Sequence, residues 1–368
     1  MSDPKVLVGL SGGVDSSVAA FQLQQQGYRV NGLFMKNWVD FTEESECTII
    51  EDRADAKNVA STLDIPFYEA NFAEDYWDHV FQHFLKEYEA GRTPNPDILC
   101  NREIKFKVFL DHALSLGNHL IATGHYARIW QSDDGVYHLL KGRDNNKDQS
   151  YFLYTLGQKQ LSHTLFPLGD LEKTEVRKIA AKAEFSNYNK KDSTGICFIG
   201  ERRFKDFLSR YLLNKPGEIC TPEGEIVSHH EGLMYYTLGQ RQGLGIGGHK
   251  NGNGLPWYVV SKQMTTNTLY VAQDKEHPWL QSQRVNVNEL HWVIGQSPSL
   301  PFLCTAKTRY RQPDQLCTLA QMANDSIEVI FDTPQRAVTP GQAIVFYKNE
   351  ECLGGGTITT TDAPGIAL

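Results

Sequence analysis

Hydrophobic positions along this chain change their spacing partway through. Up to about residue 200, short apolar runs alternate with segments whose apolar residues recur at helical intervals. Val6-Leu7-Val8 is the first such run, and Val18, Ala19 and Leu23 follow it at helical spacing. Arg29–Phe34 and Ile65–Ala70 read as further strands, with a helix over Asp52–Leu63 between them; Leu120–Thr123 reads as another strand. Strands that alternate with helices predict a parallel α/β sheet. Phe204, Phe207, Leu208, Tyr211 and Leu212 then mark one more amphipathic helix, closed by Lys215-Pro216-Gly217. Beyond it the strands become short, alternating and turn-bounded. Those around Ile219, Ile226, Tyr258–Val260 and Leu269–Val271 suggest a small β-rich module. Cys304–Thr308, Cys317–Leu319, Ile327–Phe331, Ala343–Tyr347 and Leu353–Thr357 suggest a small β-barrel. The expected division is residues 1–205, 206–278 and 279–368.

A length of 368 residues suits two or three domains, and 40% hydrophobic with 22% charged residues is ordinary for a soluble protein. No apolar run is long enough to span a bilayer, and the N-terminus lacks a signal pattern, so a cytoplasmic protein without a membrane partner is expected. Seven cysteines without a Cys-x-x-Cys pair support neither a disulfide framework nor a zinc site, and no metal ligands are assigned. The net charge of −8 argues against a generic nucleic-acid binder. Basic residues nevertheless bunch. Arg102, Lys105 and Lys107 form one group, and Lys141, Arg143 and Lys147 another. Lys307, Arg309 and Arg311 read as three cations projecting from one strand, with Tyr310 placed to stack on a base, a pattern that suits loop RNA. The basic residues of Lys173–Lys182 read as the solvated face of a helix.

Candidate chemistry gathers at three places. Gly9-Leu10-Ser11-Gly12-Gly13-Val14-Asp15-Ser16 joins the first strand to the first helix. Backbone N–H groups of such a turn, beside a helix N-terminus, make an anion site. Its Ser-Gly-Gly-x-Asp-Ser form, without the Walker lysine, is similar to the pyrophosphate loop of enzymes that split ATP into AMP and pyrophosphate. Met35 and Gly124 fall at the ends of neighbouring strands, where ligands of open α/β sheets bind. Cys100 sits near the start of a helix capped by Asn95 with Pro96 at its first position; Arg102 and Lys105 favour its thiolate, and Asp97 could exchange a proton. Cys197 lies between Gly195 and Gly200 with cations on both sides, among them Lys190, Lys191, Arg202, Arg203 and Lys205. Either cysteine could also be a buried structural residue. Gly243–Gly248 reads as a turned loop, since no buried strand of parallel type precedes it.

Taken together, these segments resemble the tRNA-specific 2-thiouridylases along essentially the whole chain. The matches are Gly9–Ser17, Gly32–Trp38, Thr93–Asn101, Ala122–Tyr126, Lys147–Leu153, Asp192–Gly200 and Gly239–Gly248, with no departure within them. The resemblance implies an adenine-nucleotide α-hydrolase-like domain, a small central domain and a C-terminal β-barrel. It implies that Gly9–Ser16, Met35 and Gly124 hold ATP with Mg²⁺, and that Asn95, Pro96 and Asp97 meet the target base. Lys147, Asp148, Gln149, Arg309 and Tyr310 would contact tRNA. The implied substrate is the wobble uridine of tRNAs for Lys, Glu and Gln. The implied sulfur is a persulfide on Cys197, loaded by a sulfur-relay protein or a cysteine desulfurase, with Cys100 as its partner thiol. Another ATP-pyrophosphatase ligase would need no redox cysteines, and a tRNA-binding protein with a regulatory loop would consume no ATP.

Overall fold

A computed structural model describes residues 4–38, 43–192, 204–246, 254–322 and 326–366. The first region is built on β1 (Lys5–Gly9), α1 (Val14–Gln25), β2 (Arg29–Lys36), α2 (Glu43–Thr62), β3 (Phe67–Asn71) and β4 (Leu120–Ala122). A hairpin of β5 (Ala127–Gln131) and β6 (Tyr137–Lys141) follows, then β7 (Thr164–Leu165). Five of these strands form a parallel sheet in the order β3-β2-β1-β4-β7. β1 lies at its centre. Val6 and Val8 point into the core shared with α1 and the helix Lys173–Lys182, whereas Leu7 points into the opposite core with Ile104 and Phe109. A strand sends alternate side chains to opposite faces, so a run with both faces covered must be apolar throughout. β2 lies on one side of β1 and β4 on the other, which opens a crevice beyond the carboxyl end of β1.

The helix expected at Asn95 is present, and its cap is the expected one. Asn95 Oδ1 accepts from the Asp97 N–H at 3.2 Å, and Pro96 occupies the first turn. Its winding is a surprise: Cys100–Val108 is π-helical, between α-helical Pro96–Leu99 and Phe109–Ser115. Apolar spacing records which face is buried, and it does not separate these windings. The helix at Phe204 ends at Leu208, short of the expected Leu212.

The second region is a four-stranded sheet, ordered β10-β11-β8-β9, of β8 (Gly217–Cys220), β9 (Ile226–His230), β10 (Tyr258–Gln263) and β11 (Thr268–Ala272). Gly243 and Gly245 lie in the loop between β9 and β10 at φ +76° and +64°. Gly247 and Gly248 are outside the described residues.

The third region comprises β12 (Gln281–Trp292), β13 (Phe302–Lys307), β14 (Gln315–Gln321), β15 (Ile327–Arg336), β16 (Ala343–Lys348) and β17 (Glu351–Thr361). They run β12-β15-β14-β13-β16-β17, and β17 pairs back to β12, so the barrel is closed. Closure removes the unpaired edges. The β5–β6 hairpin then adds to the barrel through Glu351↔Leu140 and Cys352↔Leu139. Tyr151 Oη donates to the Ala343 carbonyl at 2.9 Å, and Gln342 Nε2 donates to the Thr93 carbonyl at 2.6 Å. These bonds fix the barrel against the first region.

Leu139 is fully buried at that junction, in one core with Tyr347 and Cys352. Leu139→Ala should therefore destabilise the protein by about 3 kcal/mol, read as a lower urea midpoint. A change under about 0.5 kcal/mol, the size of a surface substitution, would show that the hairpin is not part of the shared core.

Candidate functional site

The glycine loop owes its shape to two close approaches. Gly12 has φ +77°, and a Cβ there would stand 2.3 Å from the Asp52 carbonyl oxygen of α2. A Cβ on Gly124, at the end of β4, would come within 2.8 Å of the Asp15 carbonyl carbon and the Ser16 nitrogen. Only glycine fits at either position. From β2, the Met35 methyl would meet a side chain at Gly9 at 3.0 Å. The ends of β1, β2 and β4 therefore converge as the crevice rule requires.

Hydroxyls and carbonyls knit the loop. Ser16 Oγ and Ser17 Oγ each donate to the Gly13 carbonyl at 3.0 Å, and the Ser11 N–H donates to Ser16 Oγ at 3.2 Å. Ser16 and Ser17 are buried and Ser11 is exposed. Leu10 and Val14 face the core, so in Gly9–Ser16 the surface offered to a ligand is backbone, Ser11 and the partly exposed Asp15.

Charge is organised around Asp15. Its carboxylate accepts from Lys173 Nζ at 2.7 and 2.8 Å and from Tyr126 Oη at 2.8 Å. Burial, then the Asp15 charge, pushes the Tyr126 phenol far above its ordinary value, so it stays a donor. Lys173 also reaches Asp192 at 2.6 Å; Arg177 joins Asp192 at 3.2 Å, and Lys147 pairs with the same carboxylate. Burial alone would raise the Asp192 pKa, but the bonds from Lys147 and Lys173 outweigh it and bring it down to about 2. The solvated reading of Lys173–Lys182 is thus wrong for Lys173, which is only 9% exposed. A helix pattern shows that Lys173 is charged, but not that two acids from distant segments face it. His125, buried with Nδ1 2.6 Å from Thr123 Oγ1, is held far below its ordinary pKa by burial and then by the Lys105 charge. It is neutral at physiological pH.

Of the expected tRNA residues, Lys147, Asp148 and Tyr310 line one cleft, whereas Asn95, Pro96, Asp97, Gln149 and Arg309 are not among its lining residues. Gln149 pins Tyr126: its Oε1 accepts from the Tyr126 N–H at 3.0 Å, and its own N–H donates to the Tyr126 carbonyl at 2.8 Å. Asp148 is buried, accepting from the Gly142 and Ser150 N–H groups at 3.0 and 3.1 Å. Lys141, Lys147, Tyr310 and Arg311 line a cleft of about 570 Å³ with Asp148 and Asp314. The expectation of three cations along one strand needs correction. β13 ends at Lys307, and residues 308–311 turn, held by Gln312 Oε1 accepting from the Thr308 N–H at 2.7 Å. Lys307 is paired with Asp148 and Asp314 at 3.6 Å, leaving Arg309 and Arg311 exposed on the turn. Tyr310 packs on Phe152 with ring centroids 4.5 Å apart. The Phe152 carbonyl in turn accepts from Asn101 Nδ2 at 3.0 Å, which ties the cleft to the cysteine helix.

Cys100 is 1% exposed in the core of that helix, and Asp97 is half-buried. Cys197, Arg202 and Arg203 lie outside the described residues. Cys220, Cys304, Cys317 and Cys352 are buried free thiols. Among the described residues no three or more His, Cys, Asp or Glu gather as a metal cluster, and no helix is long and apolar enough to cross a membrane.

A depressed carboxylate pKa contributes stability that is present above the ordinary value near 3.8 and lost as pH falls through about 2. The stability gap between the native chain and Asp192→Asn should be constant above about pH 5 and narrow below it, read from urea midpoints. A gap that widens on acidification would contradict the ion-pair hub.

Residues 4–201 match the tRNA methyl transferase HUP domain family, 205–273 the tRNA methyl transferase PRC-barrel domain and 282–358 the aminomethyltransferase beta-barrel domain. The tRNA-specific 2-thiouridylase MnmA of Nitrosococcus oceani is 71% identical over 366 residues, covering 100% of both chains. That of Pseudomonas putida is 59% identical over 366 residues, covering 98% of this chain and 97% of its own. Among solved structures, a 4-thiouridine synthetase–RNA complex with bound ATP aligns over 51% of this chain and 43% of its own, at 18% identity and TM-score 0.36. NMN synthetase from Francisella tularensis aligns over 52% of this chain and 67% of its own, at 16% identity and TM-score 0.32. On the full-length identity to curated relatives and the ordered match of its three regions, the chain belongs to the tRNA-specific 2-thiouridylase family.

Proposed function

We propose that the protein exchanges oxygen for sulfur at C2 of the wobble uridine in tRNAs for Lys, Glu and Gln. It consumes ATP and releases AMP and pyrophosphate in the cytoplasm. The observation that carries this reading is the physical link between the two halves of the site. Asp15 of the glycine loop is held by Tyr126, and Tyr126 is held by Gln149 of the tRNA-facing segment.

A uracil C2 oxygen is a poor leaving group, so it must first be activated. In this reading it attacks the α-phosphorus of ATP while pyrophosphate departs into the loop, which leaves C2 bearing an adenylate. The Gly9–Ser16 backbone offers donors where negative charge collects, and Lys173 is the cation at the loop. Mg²⁺ would be carried on the phosphates themselves, with Asp15, already bonded to Lys173 and Tyr126 but 30% exposed, as the loop carboxylate beside it. When bound, it neutralises departing pyrophosphate. Asn95, Pro96 and Asp97 cap the cysteine helix where the target base is to be received.

Sulfur enters as a persulfide on Cys197, delivered by a sulfur-relay protein or a cysteine desulfurase. Two routes conserve atoms and electrons. Cys100 thiolate attacks Cys197 Sγ, releasing hydrosulfide that then displaces AMP from C2. Alternatively the terminal persulfide sulfur displaces AMP first, and Cys100 then attacks Cys197 Sγ to free the thionucleoside. Both end with a Cys100–Cys197 disulfide, which an external thiol must reduce before another cycle. Cys100 is almost fully covered, so either route requires its helix or cover to open.

The direct test is nucleoside mass spectrometry of unmodified glutamate tRNA incubated with the protein, Mg-ATP and a persulfide donor. The expected result is 2-thiouridine at the wobble position, lost in both Cys100→Ser and Cys197→Ser. Product retained in either variant would overturn the two-thiol chemistry.

For the tRNA surface, Arg309→Ala should weaken binding several-fold and flatten the salt dependence by roughly one phosphate contact. An unchanged salt slope in filter binding would remove Arg309 from the interface.

A further inference from the structure

Asn187 lies on no motif, yet its side chain is 3% exposed and reaches into the glycine loop from a distant segment. Asn187 Nδ2 donates to the Gly12 carbonyl at 2.9 Å and to Ser17 Oγ at 3.0 Å. The neighbours fix which amide atom faces them. The Gly12 oxygen can only accept, and Ser17 Oγ already donates its proton to the Gly13 carbonyl. Asn187 Oδ1 is buried with no hydrogen-bond partner among the described residues. A buried acceptor without a donor costs stability, so the position is occupied by an amide for what its nitrogen does.

We propose that Asn187 is a positioning residue for the pyrophosphate-binding backbone: by holding the Gly12 carbonyl inward, it turns the Gly13 N–H toward the ligand. This rests on the reading of Gly9–Ser16 as a pyrophosphate loop. A trans peptide is planar, and its C=O and N–H point in opposite directions. Anchoring the Gly12 oxygen therefore orients the Gly13 N–H of the same peptide. That N–H has Ser11 Oγ only at a long 3.4 Å, so it is lightly held and available to an anion. Gly12, at φ +77°, has no side chain with which to fix its own peptide plane.

Asn187 is itself firmly placed. Phe185, two residues earlier, is 1% exposed and packs edge-on against Phe21 of α1 with centroids 6.2 Å apart. Lys190, three residues later, pairs with Asp52 at 2.7 Å and Asp55 at 2.5 Å on α2. The amide is thus held from both flanks against the helices that bracket the loop. A residue so moored can transmit orientation without touching the ligand.

The test uses the full chain and calorimetric titration with inorganic pyrophosphate and, separately, with AMP. Asn187→Ala removes the donor, and Asn187→Leu removes it while filling the space. Both variants should bind pyrophosphate about ten-fold more weakly, the scale expected for an unsatisfied carbonyl and a misdirected donor. Affinities for AMP and for tRNA should stay within about two-fold, as neither rests on this one hydrogen bond. Equal losses for pyrophosphate and AMP, or native pyrophosphate affinity in Asn187→Leu, would overturn the proposal, since both mean packing alone. Native protein that binds no pyrophosphate would instead overturn the loop reading itself, and the inference with it.

Discussion

The carboxylate of Asp15 is the point on which the rest of the site depends. It sits in the first turn of α1, where the loop enters the helix, takes the Lys173 ammonium from one side and the Tyr126 phenol from the other, and so gathers three distant segments. Gly124 permits this, because any side chain there would collide with the Asp15 backbone. Lys173 then hands the connection to Asp192, which also holds Lys147 and Arg177. A partly buried carboxylate surrounded by cations is stabilised as an anion, and the shared charges fix each other's positions. Cations parked on acids are also unavailable to stray polyanions. A net charge of −8 is therefore compatible with a tRNA enzyme, because the basic residues that matter are local.

The barrel contributes by being welded to the nucleotide-binding region instead of hanging from it. The β5–β6 hairpin extends the barrel sheet, and Tyr151 and Gln342 cross-link the two regions. The turn carrying Arg309 and Tyr310 is consequently held opposite Lys147, with Phe152 and Asn101 leading on to the cysteine helix. A substrate that touches the turn and the loop at once is read across both regions. Neither alone forms the cleft.

Much of this was legible in the chain. Continuous apolar runs such as Val6–Val8 announce strands covered on both faces, and the glycines of the loop announce a backbone that must approach something closely. The Asn95-Pro96 cap is as local as a signal can be, and the structure has it. What escaped was non-local or geometric. Nothing in the pattern around Lys173 shows two acids converging on it from more than a hundred residues away and from a loop. Asn187 carries no motif, since its role comes from where its turn is moored. Alternating basic residues after Lys307 mimic a strand, while the Gln312 side chain that closes the turn is visible only in three dimensions. π-helical winding at Cys100 preserves the buried face and so leaves no trace in the spacing.

In the proposed reaction the uracil C2 oxygen becomes bonded to the α-phosphorus before sulfur arrives. It can be followed directly by placing heavy oxygen at C2 of the wobble uridine and analysing the released AMP by mass spectrometry. The account predicts that the label leaves in the phosphate of AMP, one atom for each thiolated tRNA. Label appearing in water, with unlabelled AMP, would mean that the oxygen is displaced without adenylation, and would contradict it.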